Sequence, residues 1–208
     1  MDKISYFLNP KAVLLIIIIT LSVSLSSCGR SSELDPKLIE RSKQLPLLKY
    51  EVLSSEKTHP HPNKFGRYTE AIMSYPDVRD CLIESEKDLE HVDLRLVDWP
   101  QFSTDIEINL CLWRVFTSLN NVEGVTDWME FHDLNVRGRV VTRKLLDGPR
   151  VTRYSLKGGY LIKRGKPLLS PYKQSVGLIK IPWAQKIITT WTEDKTKMLS
   201  VFFQTTFE

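Results

Sequence analysis

Hydrophobic residues recur along this chain in four different rhythms. An unbroken apolar run from Ala12 to Ile19 comes first, and a proline-rich polar stretch then leads to about Gly66. From there to Asn135 apolar positions return every third or fourth residue, and from Val136 onward they alternate in short runs. The third rhythm predicts helices and the fourth predicts strands, because one helix face repeats every 3.6 residues and one strand face every two.

Within the helical part, Pro76 is placed to start a helix on which Val78, Cys81, Leu82, Leu89 and Val92 share a face. Thr104-Asp105-Ile106-Glu107 reads as a capping box, the threonine hydroxyl and the glutamate each satisfying an otherwise orphaned amide. Behind it Ile108, Cys111, Leu112, Val115, Phe116 and Leu119 make an apolar stripe. A further short helix is expected from Thr126 to Asn135, and an earlier one after Asp35-Pro36, a cap followed by a first-turn proline.

In the last third, Val140 to Thr142, Val151-Thr152, Tyr160 to Ile162, Val176 to Ile181, Ile187 to Thr190 and Leu199 to Phe203 are β-rich runs. Asp147-Gly148, Gly158-Gly159, Gly165 and Glu193-Asp194 separate them, which reads as an antiparallel meander. The fold class expected is α+β: an acidic helical N-terminal half packed with a basic C-terminal antiparallel β-meander.

The opening run follows Lys3 and Lys11 and ends in small residues, the layout of a secretory signal. Continued through Thr20-Leu21-Ser22-Val23-Ser24, its apolar core is about a dozen residues long where a spanning helix needs roughly 20, so removal after export is favoured over a permanent span. The residues at its end, Leu25-Ser26-Ser27-Cys28, resemble the lipobox of bacterial lipoproteins. That resemblance covers residues 1–28. It implies a diacylglyceryl thioether on Cys28, cleavage before it, and an anchor of two or three acyl chains. Each buried methylene of such chains contributes about 0.8 kcal/mol. Gly29 stands where an Asp commonly retains lipoproteins in the inner membrane of two-membrane bacteria, so an outer membrane site facing the periplasm is favoured.

Removing residues 1–27 leaves 181, enough for one domain with a real core and short for two. The division expected is a signal peptide over 1–27, a tether with a short helix over 28–66, and a single α+β domain over 67–208. With 42% apolar and 26% charged residues, the composition is that of a folded protein. Once Cys28 is lipidated, Cys81 and Cys111 remain, and an even pair in an oxidising compartment reads as a disulfide.

Charge changes the picture most. From Gly66 to Asn135 fifteen acidic residues face five basic ones, a net of minus ten. From Val136 to Lys180 twelve basic residues face only Asp147, a net of plus eleven. Two readings follow. Either the basic sheet neutralises the acidic helices across solvated faces, each exposed pair contributing under about 1 kcal/mol; or strand alternation gathers cations on one face for an anionic partner. Arg137 and Arg139 lie two apart, as do Arg164 and Lys166, and the candidate contact residues are Arg137, Arg139, Arg143, Lys163, Arg164 and Lys166.

Chemistry is sparse. The chain has no G-x-S-x-G, H-E-x-x-H, P-loop or G-x-G-x-x-G. His59 and His61 lack a third metal ligand beside them. Glu130, His132 and Asp133 form the one tight acid/base cluster, and neighbouring helical positions diverge. No cofactor or metal is expected, and nucleic acid is not an expected partner. The function expected is a lipid-anchored, non-enzymatic binding or assembly module of the bacterial envelope, meeting an envelope protein or anionic polymer. The alternative is an envelope hydrolase or transferase without a recognisable motif. A deep pocket gathering His132 with two carboxylates would favour the enzyme, and a flat basic face the binding module.

Overall fold

Thr104 and Glu107 close the capping box as their spacing predicts: the Glu107 amide donates to Thr104 Oγ1 at 3.2 Å and the Thr104 amide to the Glu107 carboxylate at 3.2 Å. The helix they start, Asp105–Leu119, is buried on nearly every side from Ile108 onward, the mark of a central helix. It ends at Asn120, whose left-handed φ of 50° suits an asparagine. Asn121 then caps the next helix, Val122–Phe131. That helix begins four residues before the expected Thr126, because the cap residue, and not the apolar spacing behind it, sets the start.

The computed structural model describes residues 35–144, 149–161 and 182–207. Glu33 to Glu208 form one compact unit. Its described helices are α1 (Pro36–Lys43), α2 (Thr69–Ser74), α3 (Glu84–Lys87), α4 (Asp105–Leu119) and α5 (Val122–Phe131), with 3-10 turns at Gly66–Tyr68, Val78–Cys81 and Trp99–Gln101. The strands are β1 (Asn135–Lys144), β2 (Arg150–Leu161), β3 (Pro182–Trp191) and β4 (Met198–Phe207), in one antiparallel sheet of order β1-β2-β3-β4. The fold is therefore mixed α+β with a meander.

The sheet has two unlike faces. Leu156, Ile187, Trp191 and Phe203 are buried on the side of α4 and α5. A Cβ on Gly158 would lie 2.9 Å from Met129 Sδ and 3.2 Å from Leu134, so glycine lets α5 approach the strand. Gly158-Gly159 is thus no turn: Val151-Thr152 and Tyr160-Leu161 lie in one strand, β2. The turn expected at Glu193-Asp194 is present, stitched by Asp194 accepting from the Thr196 amide at 3.2 Å. Val176 to Ile181, Asp147-Gly148 and Gly165 lie outside the described residues.

Two further expectations give way. The helix predicted from Pro76 to Val92 is a 3-10 turn and the four-residue α3 joined by loops. Side chains replace the helical hydrogen bonds there, since the Asp80 carboxylate accepts the Asp77 amide at 2.9 Å, the Asp77 carboxylate accepts the Arg79 amide at 3.0 Å, and the Arg79 guanidinium donates to the Lys87 carbonyl at 3.0 Å. The tether expected over 28–66 is seated on the domain from Asp35 on. Leu38, Ile39, Leu48, Tyr50 and Leu53 pack on the core, and the buried Ser54 amide donates to Ser118 Oγ at 2.9 Å. The Arg114 guanidinium, fully buried, reaches Glu56 at 2.9 Å and the His59 carbonyl at 3.0 Å. Leucines spaced along a proline-rich stretch were the signal for this docking.

Candidate functional site

Because side chains alternate across a strand, β1 and β2 turn their odd-numbered residues away from the helices. Arg137 faces Lys157 across the ladder, Arg139 faces Ser155 and Val141 faces Arg153. The next strands continue the same face: Lys157 faces Ile188, Ser155 faces Thr190, and in turn Ile188 faces Phe202 and Thr190 faces Ser200. Arg137, Arg139, Arg153 and Lys157 are all exposed. They rim a concavity of about 610 Å³ whose floor includes Val141, Val151, Ser155 and Ile188. Among the described residues no acidic side chain forms an ion pair with any of the four.

The face is laterally divided. Most of its cations stand on β1 and β2, with Lys186 added on β3 beside Gly159, whereas the β3–β4 side carries one apolar pair, Ile188 and Phe202, between the polar pairs Lys186–Gln204 and Thr190–Ser200. Phe202 is 49% exposed, unusual for so large an apolar side chain in a sheet whose other face is core. Beyond this area the ribbon of β1 and β2 runs past the helices, since Val140 on the helix-facing side is 61% exposed. Tyr154 covers Gly138 there, and a Cβ on Gly138 would collide with the Tyr154 ring.

Of the six contact residues expected, Arg137 and Arg139 fall on this face. Arg143 occupies the same register opposite Val151, and its side chain is not among those described. Lys163, Arg164 and Lys166 lie outside the described residues, as does Cys28. Arg153, Lys157 and Lys186 were missed. Arg153 and Lys157, four residues apart, carry the same alternation signal as Arg137 and Arg139, but that they meet those residues depends on strand pairing.

Cys81 and Cys111 are joined in a disulfide with Cα atoms 5.6 Å apart, both fully buried. The bridge links the 3-10 turn to α4, where two packed helices were expected.

The acid/base cluster comes apart. His132 is buried, its ring 4.1 Å from that of Trp128 and 5.8 Å from that of Trp99, and neither ring nitrogen has a hydrogen-bond partner. Burial pushes its pKa down to about 3. Glu130 and Asp133 point to solvent, Asp133 pairing with Arg41 at 3.1 Å. Among the described residues, neither carboxylate of the cluster turns toward this histidine. His61 stacks on Tyr68 with ring centroids 4.4 Å apart and accepts the Asn63 amide at Nδ1, 3.2 Å away. No three His, Cys, Asp or Glu side chains converge as a metal site among the described residues. Trp99, Trp113, Trp128 and Trp191 are core residues.

A second concavity of about 680 Å³ lies between Leu47–Glu51 and the Asn120-Asn121 corner, with His91 on its wall. No described helix is long and apolar enough to cross a membrane. The chain matches no family model, no curated protein and no solved structure.

Proposed function

We propose that this chain is a lipid-anchored protein of the bacterial envelope, held through Cys28 and favouring the periplasmic side of the outer membrane. It works there as a binding module and not as an enzyme, through the cationic outer face of its sheet. In this reading the acidic helical half and the basic meander are the two sides of one α+β domain. Charge is separated between them and not cancelled.

The observation that carries the proposal is the grouping of Arg137, Arg139, Arg153 and Lys157 on one open face without an acidic partner among the described residues. Arg137 and Lys157 stand directly opposite each other, an arrangement that is destabilising between like charges. An anion placed over them would relieve that repulsion. The reading of location rests on Leu25-Ser26-Ser27-Cys28 behind the apolar run.

The test is retention of the mature chain, residues 28–208 with Cys28→Ser, on polyphosphate-coated beads. Screening shortens the Debye length from about 10 Å at 0.1 M salt to about 3 Å at 1 M, so retention should be strong at the lower concentration and absent at the higher. Wild type that passes through at low salt, or a chain with Arg137, Arg139 and Arg153 changed to Gln that is retained equally, refutes the binding face.

A further inference from the structure

We infer that the anion this face meets is the phosphate layer of the lipid head groups in the membrane where the chain is anchored. The inference rests on the anion-binding reading above and gives that face a specific occupant.

One row across the sheet distinguishes a lipid surface from a dissolved polyanion. It runs Arg137, Lys157, Ile188, Phe202, strand by strand. Two cations stand at one side and two apolar side chains at the other. A soluble polyphosphate or acidic glycan would use only the cationic side and leave the exposed Phe202 ring in water. A bilayer interface offers both chemistries within a few ångströms, phosphates above and the glycerol and upper acyl region below. Phe side chains on interfacial elements bury into that headgroup–acyl boundary. Three of the four rim cations are arginines, whose planar forks suit phosphate oxygens.

Distance from the anchor supports the same occupant. Asp35, the first of the described residues, lies seven residues after Cys28. At no more than about 3.6 Å per residue, that segment reaches at most about 25 Å. Helix α1 is in turn pinned beside the start of β1, because Arg41 donates to the Phe131 carbonyl at 2.8 Å and to Asp133 at 3.1 Å. The cationic face is thereby kept near head groups of the anchoring membrane, and tethering raises their effective concentration at the face.

The experiment measures partition of the mature chain carrying Cys28→Ser onto vesicles of mixed phosphatidylglycerol and phosphatidylcholine, and onto vesicles of phosphatidylcholine alone. Wild type should bind the anionic vesicles in about 0.1 M salt and release in about 1 M. Changing Arg137, Arg139 and Arg153 together to Gln should lower partition at least about tenfold. A control of equal charge loss, Lys49, Lys57 and Lys64 to Gln, should leave it unchanged. Phe202→Ser should lower vesicle partition several-fold while polyphosphate retention stays at the wild-type level, a split that a purely electrostatic site would not produce. Equal binding to both vesicle types, or a triple arginine variant that partitions like wild type, overturns the inference. Retention on polyphosphate without partition onto anionic vesicles also overturns it and leaves the anion-binding reading standing; loss of both removes that reading as well.

Discussion

The side-chain carbonyl of Asn109, in the second turn of α4, accepts the main-chain amide of Phe203 on the edge strand β4 at 2.7 Å, deep in the core. The same asparagine donates to the Asp105 carbonyl one turn earlier at 2.7 Å. A helix side chain thus occupies one of the hydrogen-bonding groups that an edge strand would otherwise offer to another chain. Asn109→Ala leaves the buried Phe203 amide without a partner. It should lower stability by about 1–3 kcal/mol and increase self-association on mild heating, read by denaturant unfolding and light scattering. An unchanged unfolding midpoint would show that the bond contributes nothing.

The Cys81 to Cys111 disulfide closes a loop with a sequence separation of 30. In the chain-entropy account it contributes on the order of 3 to 4 kcal/mol. Cys81→Ser/Cys111→Ser should lose about that much, and in the native chain neither cysteine should be alkylated, folded or unfolded, until the bridge is reduced. Non-reducing peptide mapping of the exported protein checks the pairing directly, and two freely alkylated thiols in it would exclude the bridge.

Glu56 and Arg114 tie residues 54–61 to the central helix, the guanidinium fully buried and the carboxylate 27% exposed. Burial pushes the Glu56 pKa up, but hydrogen bonds from Arg114 and the His61 amide, with the Arg114 charge, outweigh it and leave the pKa lowered. A carboxylate with a lowered folded pKa contributes stability that is full above its unfolded value, near 4.5, and is lost as pH falls through the folded one. Glu56→Gln should therefore destabilise by about 2 kcal/mol at neutral pH, less than a fully buried pair because the carboxylate is partly solvated. The gap to wild type should narrow below pH 4.5. A pH-independent gap would assign the loss to packing.

His132 has the opposite chemistry and the same sign. Its folded pKa of about 3 lies below the ordinary 6.5, so the unfolded chain binds a proton that the native one refuses. The neutral ring's stability is complete above pH 6.5 and drains away between 6.5 and about 3, at up to about 1.4 kcal/mol per pH unit. His132→Phe removes both the proton uptake and two unpartnered nitrogens. The variant should match or exceed wild type at pH 7 and pull ahead as pH falls to 5. Parallel stability curves for the two proteins would refute the buried neutral state.

Lipidation of Cys28 is expected from the residues before it. Metabolic labelling with a palmitate analogue should mark the wild type and not Cys28→Ser, and equal labelling of both would end the anchor proposal.

Features readable along the chain are those stabilised by near neighbours. The Thr104–Glu107 capping box, the Asp35-Pro36 helix start and the alternation of Arg137 with Arg139 each depend on atoms within one turn or one pleat. A spacing rule captures them for that reason. Where local rules compete with burial, they mislead: Gly158-Gly159 carries turn chemistry yet runs through a strand, because Met129 and Leu134 need the space a side chain would fill. Likewise the 3.6-residue rhythm after Pro76 becomes turns, since Leu82 finds its partner in a bridge to Val97 and Cys81 finds Cys111. The cationic face belongs to a third kind of feature. Nothing near Arg137 in the chain indicates that Lys157 will stand opposite it, or that Ile188 and Phe202 will complete the row. Those neighbours are 20 or more residues away, and strand pairing and the burial of the opposite face choose them. Residue types and local rhythm thus specify what can be cationic, capped or bridged, while long-range packing chooses which of these groups share a surface.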